Sequence, residues 1–336
     1  MDIYGQLRHS TVAIQLESTR VFSVAGADTV EYLHRMLTQD MRGMVNFEVR
    51  AACLCTHKGR LLASLLVAHW GDMVYLITPE SHGEALFNQL DRYIIMDDVT
   101  LTEVTKDWEF ISLQGPGAPE AYALFTGDKE TQLTANFAAA SFATSQGEAL
   151  AIENTRTGER GIDLMMPSGS AETMKTWLKD QNIPLVSDHD SGVQRARIEA
   201  GIPSPGQELD GEIIPVEAGL GHTISYTKGC YAGQEVIAKI KYLGEPPKTM
   251  VTLNIEGDFE GVDTPLSVWN GGKRVGRVTS WAAKSPENTT PCLALVKTRQ
   301  LPQLNQVEVK AEDQSVGHGA LSEEAIVWGS GFPFQS

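Results

Sequence analysis

The stretch Lys228-Gly229-Cys230-Tyr231-Ala232-Gly233-Gln234-Glu235 sets one cysteine between two glycines and beside a lysine. A helix is predicted from about Gln234 to Tyr242, where Val236, Ile237 and Ile240 share one face at helical spacing. Cys230 then sits just upstream of a helix N-terminus. There free amide N–H groups and the positive end of the helix dipole favour a thiolate, and Lys228 adds to this if its side chain turns the same way. The glycines permit close backbone approach, so a ligand or partner can reach the sulfur. The competing reading is a tight turn around a small buried cysteine.

Upstream of this loop, strands and helices are mixed without strict alternation, which predicts an α+β fold. Val21 to Val24 reads as a strand, and Asp28 as the N-cap of a helix that turns Val30, Leu33 and Leu37 inward. Apolar runs flanking His57-Lys58-Gly59-Arg60 predict a hairpin between Val49 and Trp70. A strand from Phe110 to Leu113 running into Gln114-Gly115-Pro116-Gly117 repeats the opening pattern. A second α+β subdomain is therefore expected to start near residue 107. Helices are predicted at Ala171 to Gln181 and Asp190 to Ala200.

Downstream the character changes. After Gly244-Glu245-Pro246-Pro247, short apolar runs separated by Gly, Pro and Asn predict a small β-barrel or sandwich. The expected division is thus 1–244, made of two α+β subdomains, and 245–330, a C-terminal β-barrel.

Size and charge narrow the function. A chain of 336 residues exceeds what one core usually fills. With 27 basic against 43 acidic side chains, the formal charge of −16 disfavours direct binding to nucleic acid. No apolar run is long enough to span a bilayer, and the first ten residues carry no secretory or transit signature, so a cytoplasmic location is expected. Four cysteines at 53, 55, 230 and 292 are too few and scattered for a disulfide framework. Gly115 and Gly117 do not complete a dinucleotide fingerprint, and the eight histidines lack metal-like pairing.

The cysteine stretch, Arg197-Ile198-Glu199-Ala200-Gly201-Ile202-Pro203, Ile214-Pro215-Val216-Glu217-Ala218-Gly219-Leu220, and Val275-Gly276-Arg277-Val278-Thr279-Ser280 with Ser285-Pro286 together resemble the YgfZ family. These are folate-binding relatives of the glycine cleavage system T protein. The resemblance implies a three-domain cloverleaf around a central channel that holds tetrahydrofolate or a one-carbon derivative. It further implies a role in assembly or repair of iron-sulfur proteins, including radical enzymes that thiolate tRNA, with those clients as partners. Glu199 matches the glutamate that pairs with the pterin, a task suited to a carboxylate accepting two parallel N–H bonds. Arg197, Tyr231, Gly229 and Gly233 are the other candidate cofactor-binding residues, and Cys230 with Lys228 the candidate catalytic pair.

Aminomethyl transfer or demethylation on tetrahydrofolate is the rival function. The resemblance expects an acidic pair after the hairpin turn, yet the matching stretch is Lys58-Gly59-Arg60-Leu61-Leu62-Ala63-Ser64-Leu65. Losing a proton-transfer group typically costs ~10²–10⁴ in rate. A scaffold with a vestigial folate site is the third reading. Cys53 and Cys55 project to one face of a strand, as packed apolar residues or, with Cys230, as ligands of a cluster. Arg156 and Arg160 are candidates for a ligand carboxylate or for ordinary salt bridges. Tyr226 and Tyr231 suit pterin stacking or wall packing, and Trp281 is expected in the barrel core.

Overall fold

The computed structural model describes residues 1–321 apart from 129–132, 134, 136, 258, 260, 263–264, 286–287, 305 and 313. Residues 322–330 of the expected barrel domain, and Pro286 of the quoted motif, lie outside the described residues.

The first unit is a five-stranded sheet in the order β3-β4-β5-β2-β6. Its strands are β2 (Thr19–Ala25), β3 (Val49–Cys55), β4 (Leu61–Trp70), β5 (Met73–Pro79) and β6 (Thr100–Glu103). Helices α2 (Thr29–Met36) and α3 (Glu80–Tyr93) cover it. The predicted hairpin is β3–β4, paired from Val49 with Ala68 to Cys55 with Leu61. Leu33 and Leu37 are buried as expected, whereas Val30 is 36% exposed. Asp28 accepts from the amide of Asp98 rather than capping its own helix.

The second unit is a six-stranded sheet ordered β11-β1-β7-β10-β9-β8. It contains β1 (Val12–Gln15), β7 (Trp108–Gln114), β8 (Ala139–Thr144), β9 (Gly147–Glu153), β10 (Gly161–Pro167) and β11 (Leu185–Ser187). Helices α4 (Ala118–Thr126) and α5 (Ala171–Asp180) pack on it. The boundary near 107 needs one amendment. Helix α1 (Ile3–His9) and β1 precede the first sheet in sequence but belong to the second, where β1 pairs antiparallel with β7 and parallel with β11. The alternation rule is silent on this because β1, nearly all buried, is only four residues long. Val12, Ile14, Val21, Ile77, Phe110 and Leu150 belong to a single apolar cluster that joins the two sheets.

Helix α6 (Ser191–Glu199), N-capped by Asp190 accepting from Gly192 N at 2.8 Å, leads through the Pro- and Gly-rich segment to helix α7 (Gln234–Leu243). The third unit is a closed six-stranded barrel, β12-β15-β14-β13-β16-β17. Its strands are β12 (Lys248–Gly257), β13 (Leu266–Asn270), β14 (Lys273–Trp281), β15 (Thr290–Lys297), β16 (Val307–Ala311) and β17 (Gln314–Leu321). Closure pairs β12 with β17 and leaves no free sheet edge. A cluster containing Cys53, Ile213, Tyr231, Ile237, Met250 and Leu293 fastens α7 and the barrel to the first unit. Among the described residues, no helix is long and apolar enough to cross a membrane.

Candidate functional site

A cavity of about 1090 Å³ lies where the three units meet. Leu65 and Ile77 come from the first unit, Asn154 and Gln194 from the second and from α6, and Arg277 and Ser280 from the barrel. The volume reaches the upper end of the range for small-molecule sites, and the wall mixes apolar side chains with a few polar groups, as such sites do. Phe137, in a left-handed conformation at φ 64°, stacks on His222 with centroids 6.1 Å apart, and both line the cavity. Burial holds the His222 imidazole down to about 4, so this aromatic pair is neutral.

Arg197 lines the cavity and is buried. Its guanidinium donates to Glu208 at 3.0 Å, to Gln207 at 3.1 Å, to Ser280 at 3.1 Å and to the Ile202 carbonyl at 3.0 Å. Ser280 Oγ in turn donates to Glu208 Oε1 at 2.5 Å. The network ties α6 to barrel strand β14 beneath the cavity floor. Arg197 therefore anchors the wall rather than offering a vacant cation.

Glu199 falls elsewhere. Two helical residues span about 200° of rotation, so Arg197 and Glu199 occupy opposite sides of α6. The Glu199 carboxylate accepts from Tyr4 Oη at 2.5 Å, Arg8 at 3.1 Å and Arg195 at 2.8 Å. It joins α6 to α1 and is not among the cavity-lining residues. The pterin-anchoring role expected of it would compete with these three donors.

The cysteine loop has the predicted local form. Gly233 caps α7 at φ 84°, and Cys230 is exposed just before it. The close approach that Gly233 permits is to the chain itself. A Cβ there would lie 2.6 Å from both Gly59 Cα and the Thr56 carbonyl oxygen of the β3–β4 turn. Lys228 also departs from expectation. Its Nζ donates to the carbonyls of His34, Leu37 at 2.6 Å and Gln39 at 2.9 Å, capping the C-terminal end of α2. Burial pulls this ammonium down to about 8. Lys228 thus pins the loop to the first unit through backbone carbonyls.

Tyr231 is buried under the Lys228 ammonium, whose nitrogen is 5.2 Å from the ring centroid, and packs in the core with Cys53 and Cys55. Neither it nor Tyr226, Gly229, Gly233 or Cys230 lines the cavity. Of the two readings for Tyr231, its burial in this cluster matches packing. Cys53 and Cys55 are 0% and 1% exposed, and burial raises both thiols, Cys53 to about 12. No group of three His, Cys, Asp or Glu among the described residues is placed to hold a metal ion.

Arg156 lines the cavity but grips Asp163 through two bonds of 2.9 and 2.7 Å, while Arg160 reaches Glu153 and the Leu133 carbonyl. Trp281 is 38% exposed and lines the cavity, its edge against Phe259, in place of the expected core position. Sequence reasoning gave no role to His34, His82, Gln207 or Ser280. The His34 Nδ1 meets Asp40 at 2.8 Å, and its buried Nε2 has no hydrogen-bond partner among the described residues and lies 3.9 Å from where a Gly229 Cβ would stand. Only spacing to residues far along the chain gives these side chains meaning, and no local pattern marks them.

Three units closing on one cavity, the last a barrel, define the T-protein architecture. The structure of glycine cleavage system aminomethyltransferase T from Bartonella henselae superposes with a TM-score of 0.78, covering 95% of this chain and 87% of that one at 18% identity. Residues 4–228 match the model of the GCVT N-terminal domain, and the chain belongs to that family. The match ends at Lys228, two residues before the exposed cysteine. An aminomethyltransferase of Caldanaerobacter subterraneus is 27% identical over 85% of this chain and 77% of its own length. A chloroplastic putative transferase of Arabidopsis thaliana is 27% identical over 81% of this chain and 62% of its own length.

Proposed function

We propose that the protein is a folate-binding accessory factor for iron-sulfur proteins, acting through the thiol of Cys230. The observation that carries this reading is the contrast among the four cysteines: three are buried and one is exposed, on a loop held by Lys228 and Gly233. Exposure and a helix N-terminus suit sulfur exchange or reversible oxidation, both of which need access. The His34 Nε2 beside Gly229, without a hydrogen-bond partner among the described residues, adds a polar ring nitrogen at the same loop.

The cavity fits a tetrahydrofolate in size and in chemistry. The Phe137–His222 pair offers a flat neutral surface to a pterin, and Gln207 and Ser64 offer polar groups. Arg277, which also pairs with Asp210 at 2.8 Å, and His189 line the same cavity, where a carboxylate tail would meet them. Bound there, the folate would supply one-carbon chemistry. The test is to replace Cys230 by Ala in a strain lacking the native gene and to assay iron-sulfur enzymes under oxidative stress. Full rescue by the variant would remove the thiol from the mechanism.

Aminomethyl transfer or demethylation remains the second reading, favoured by the names of the relatives. Against it stands the wall itself, where Ala63 is buried in the core and Ser64 faces the cavity with no carboxylate on that stretch of β4. Steady conversion of an N-methyl or aminomethyl donor to methylene-tetrahydrofolate by the purified protein would establish it.

A further inference from the structure

The cavity wall carries a serine whose hydroxyl oxygen touches a buried histidine. Ser64 on β4 lines the cavity, and its Oγ is 3.3 Å from Nδ1 of His82 on α3. The histidine tautomer is fixed from both sides. Nε2 is 3.1 Å from the Leu209 carbonyl oxygen, which can only accept, so Nε2 bears the proton. The backbone N–H of Ser64 donates to Nδ1 at 3.2 Å, so Nδ1 bears a lone pair. His82 is 6% exposed, and burial holds its pKa below the ordinary histidine value, which keeps the ring neutral.

A neutral Nδ1 can only accept, so its contact with Ser64 Oγ is a hydrogen bond when the hydroxyl donates, sharing the one lone pair with the amide. The oxygen's own lone pairs are then left for whatever occupies the cavity. Thr78 Oγ1 donates to the Ser64 carbonyl at 2.9 Å and fixes the strand at this point. Leu209, which holds the far side of the ring, lines the cavity as well.

We propose that Ser64 is a specificity-determining hydrogen-bond acceptor for an N–H group of the cavity's ligand, with His82 as its positioning residue. The ligand class is a nitrogen heterocycle or secondary amine that presents N–H; a group offering only a lone pair meets lone pair against lone pair and is rejected. The identity of the probe rests on the folate reading above, while the polarity of the serine rests on geometry alone.

The test is anaerobic titration of tetrahydrofolate into the wild-type protein and into S64A, H82L, H82N and the double variant S64A/H82L, with thermal melting of each. S64A leaves the ligand's N–H unpaired, and about a tenfold or greater weakening is expected with little change in melting temperature. H82L should weaken binding comparably by freeing the hydroxyl to rotate, and H82N, which sets an amide oxygen in place of Nδ1, should recover most of the loss. Because the two residues act as one unit, the double variant should bind no more weakly than S64A. Tetrahydrofolate binding by S64A within twofold of wild type overturns the inference and leaves the folate reading standing. Absence of binding to the wild-type protein overturns both. Where H82L fails to fold, S64A and H82N still decide the outcome.

Discussion

Arg197 and Glu208 form an ion pair of 3.0 Å with both side chains almost fully buried, and the same guanidinium reaches Ser280 of the barrel. The pair is saturated on both sides, since Glu208 also accepts from the Ser204 amide at 2.9 Å and from Ser280. Removing one partner strands a buried charge. Arg197→Ala is therefore expected to destabilise the protein by about 3–5 kcal/mol, read by urea denaturation, with the barrel loosened from α6. A loss under 1 kcal/mol would show that the network contributes little to the joint.

The thiol contrast predicts chemical selectivity. Iodoacetamide applied to the native protein should label Cys230 alone, because Cys53, Cys55 and Cys292 are buried and burial raises each of their thiols. Peptide mass spectrometry before and after denaturation checks this. Cys230→Ala should change unfolding free energy by less than about 0.5 kcal/mol, since the side chain is exposed.

Two glycines flanking α7 separate conformational strain from collision. Gly233 and Gly244 both have positive φ, at 84° and 94°. A Cβ on Gly233 would meet Gly59 and Thr56 at 2.6 Å, whereas one on Gly244 would meet nothing within 4 Å. Gly244→Ala is expected to cost about 1 kcal/mol and Gly233→Ala clearly more, roughly 2–4 kcal/mol. Displacement of the cysteine loop in Gly233→Ala should also raise the alkylation rate of Cys55 or Tyr231-shielded neighbours in the core they share.

Acid sensitivity follows from His222. Its folded-state pKa of about 4 lies below the ordinary value of 6.5, so between those pH values the unfolded chain binds a proton that the folded protein refuses. Stability should be complete above pH 6.5 and fall as pH drops toward 4, by at most about 3 kcal/mol from this group. Burial lowers His34 and His82 in the same direction. Between pH 6.5 and 4 the wild-type denaturation midpoint should fall more steeply than that of His222→Gln, and equal slopes would overturn the assignment.

Much of the architecture was legible locally. The β3–β4 hairpin follows from apolar runs around a polar, glycine-containing turn, and α7 from Val236, Ile237 and Ile240 sharing a face behind Gly233. The barrel follows from short apolar runs broken by Gly, Pro and Asn. Val30 and Trp281 were misplaced for one reason. Their hydrophobicity favours burial, but α2 turns Val30 outward and β14 carries Trp281 to the cavity wall.

The site was less legible because its contacts join distant segments. Lys228 stands beside Cys230 in sequence, yet its ammonium is drawn to α2 carbonyls about 190 positions away, where three acceptors compensate its desolvation. Glu199 stands two residues from Arg197, yet α6 turns one toward α1 and the other toward the cavity. Helical periodicity separates the two side chains but does not choose between them.

By itself the sequence determined the elements, the turns that join them and the glycine-flanked cysteine just ahead of α7, because these depend on residues within one or two turns of each other. Which side chains face the shared cavity was decided only by the tertiary structure. There the docking of α1, α6 and the barrel settles whether a carboxylate, a guanidinium or the Ser64 hydroxyl faces the cavity. The physical reason is that burial and hydrogen-bond satisfaction are properties of the packed surfaces, and a polar side chain turns to whichever partner those surfaces bring within reach.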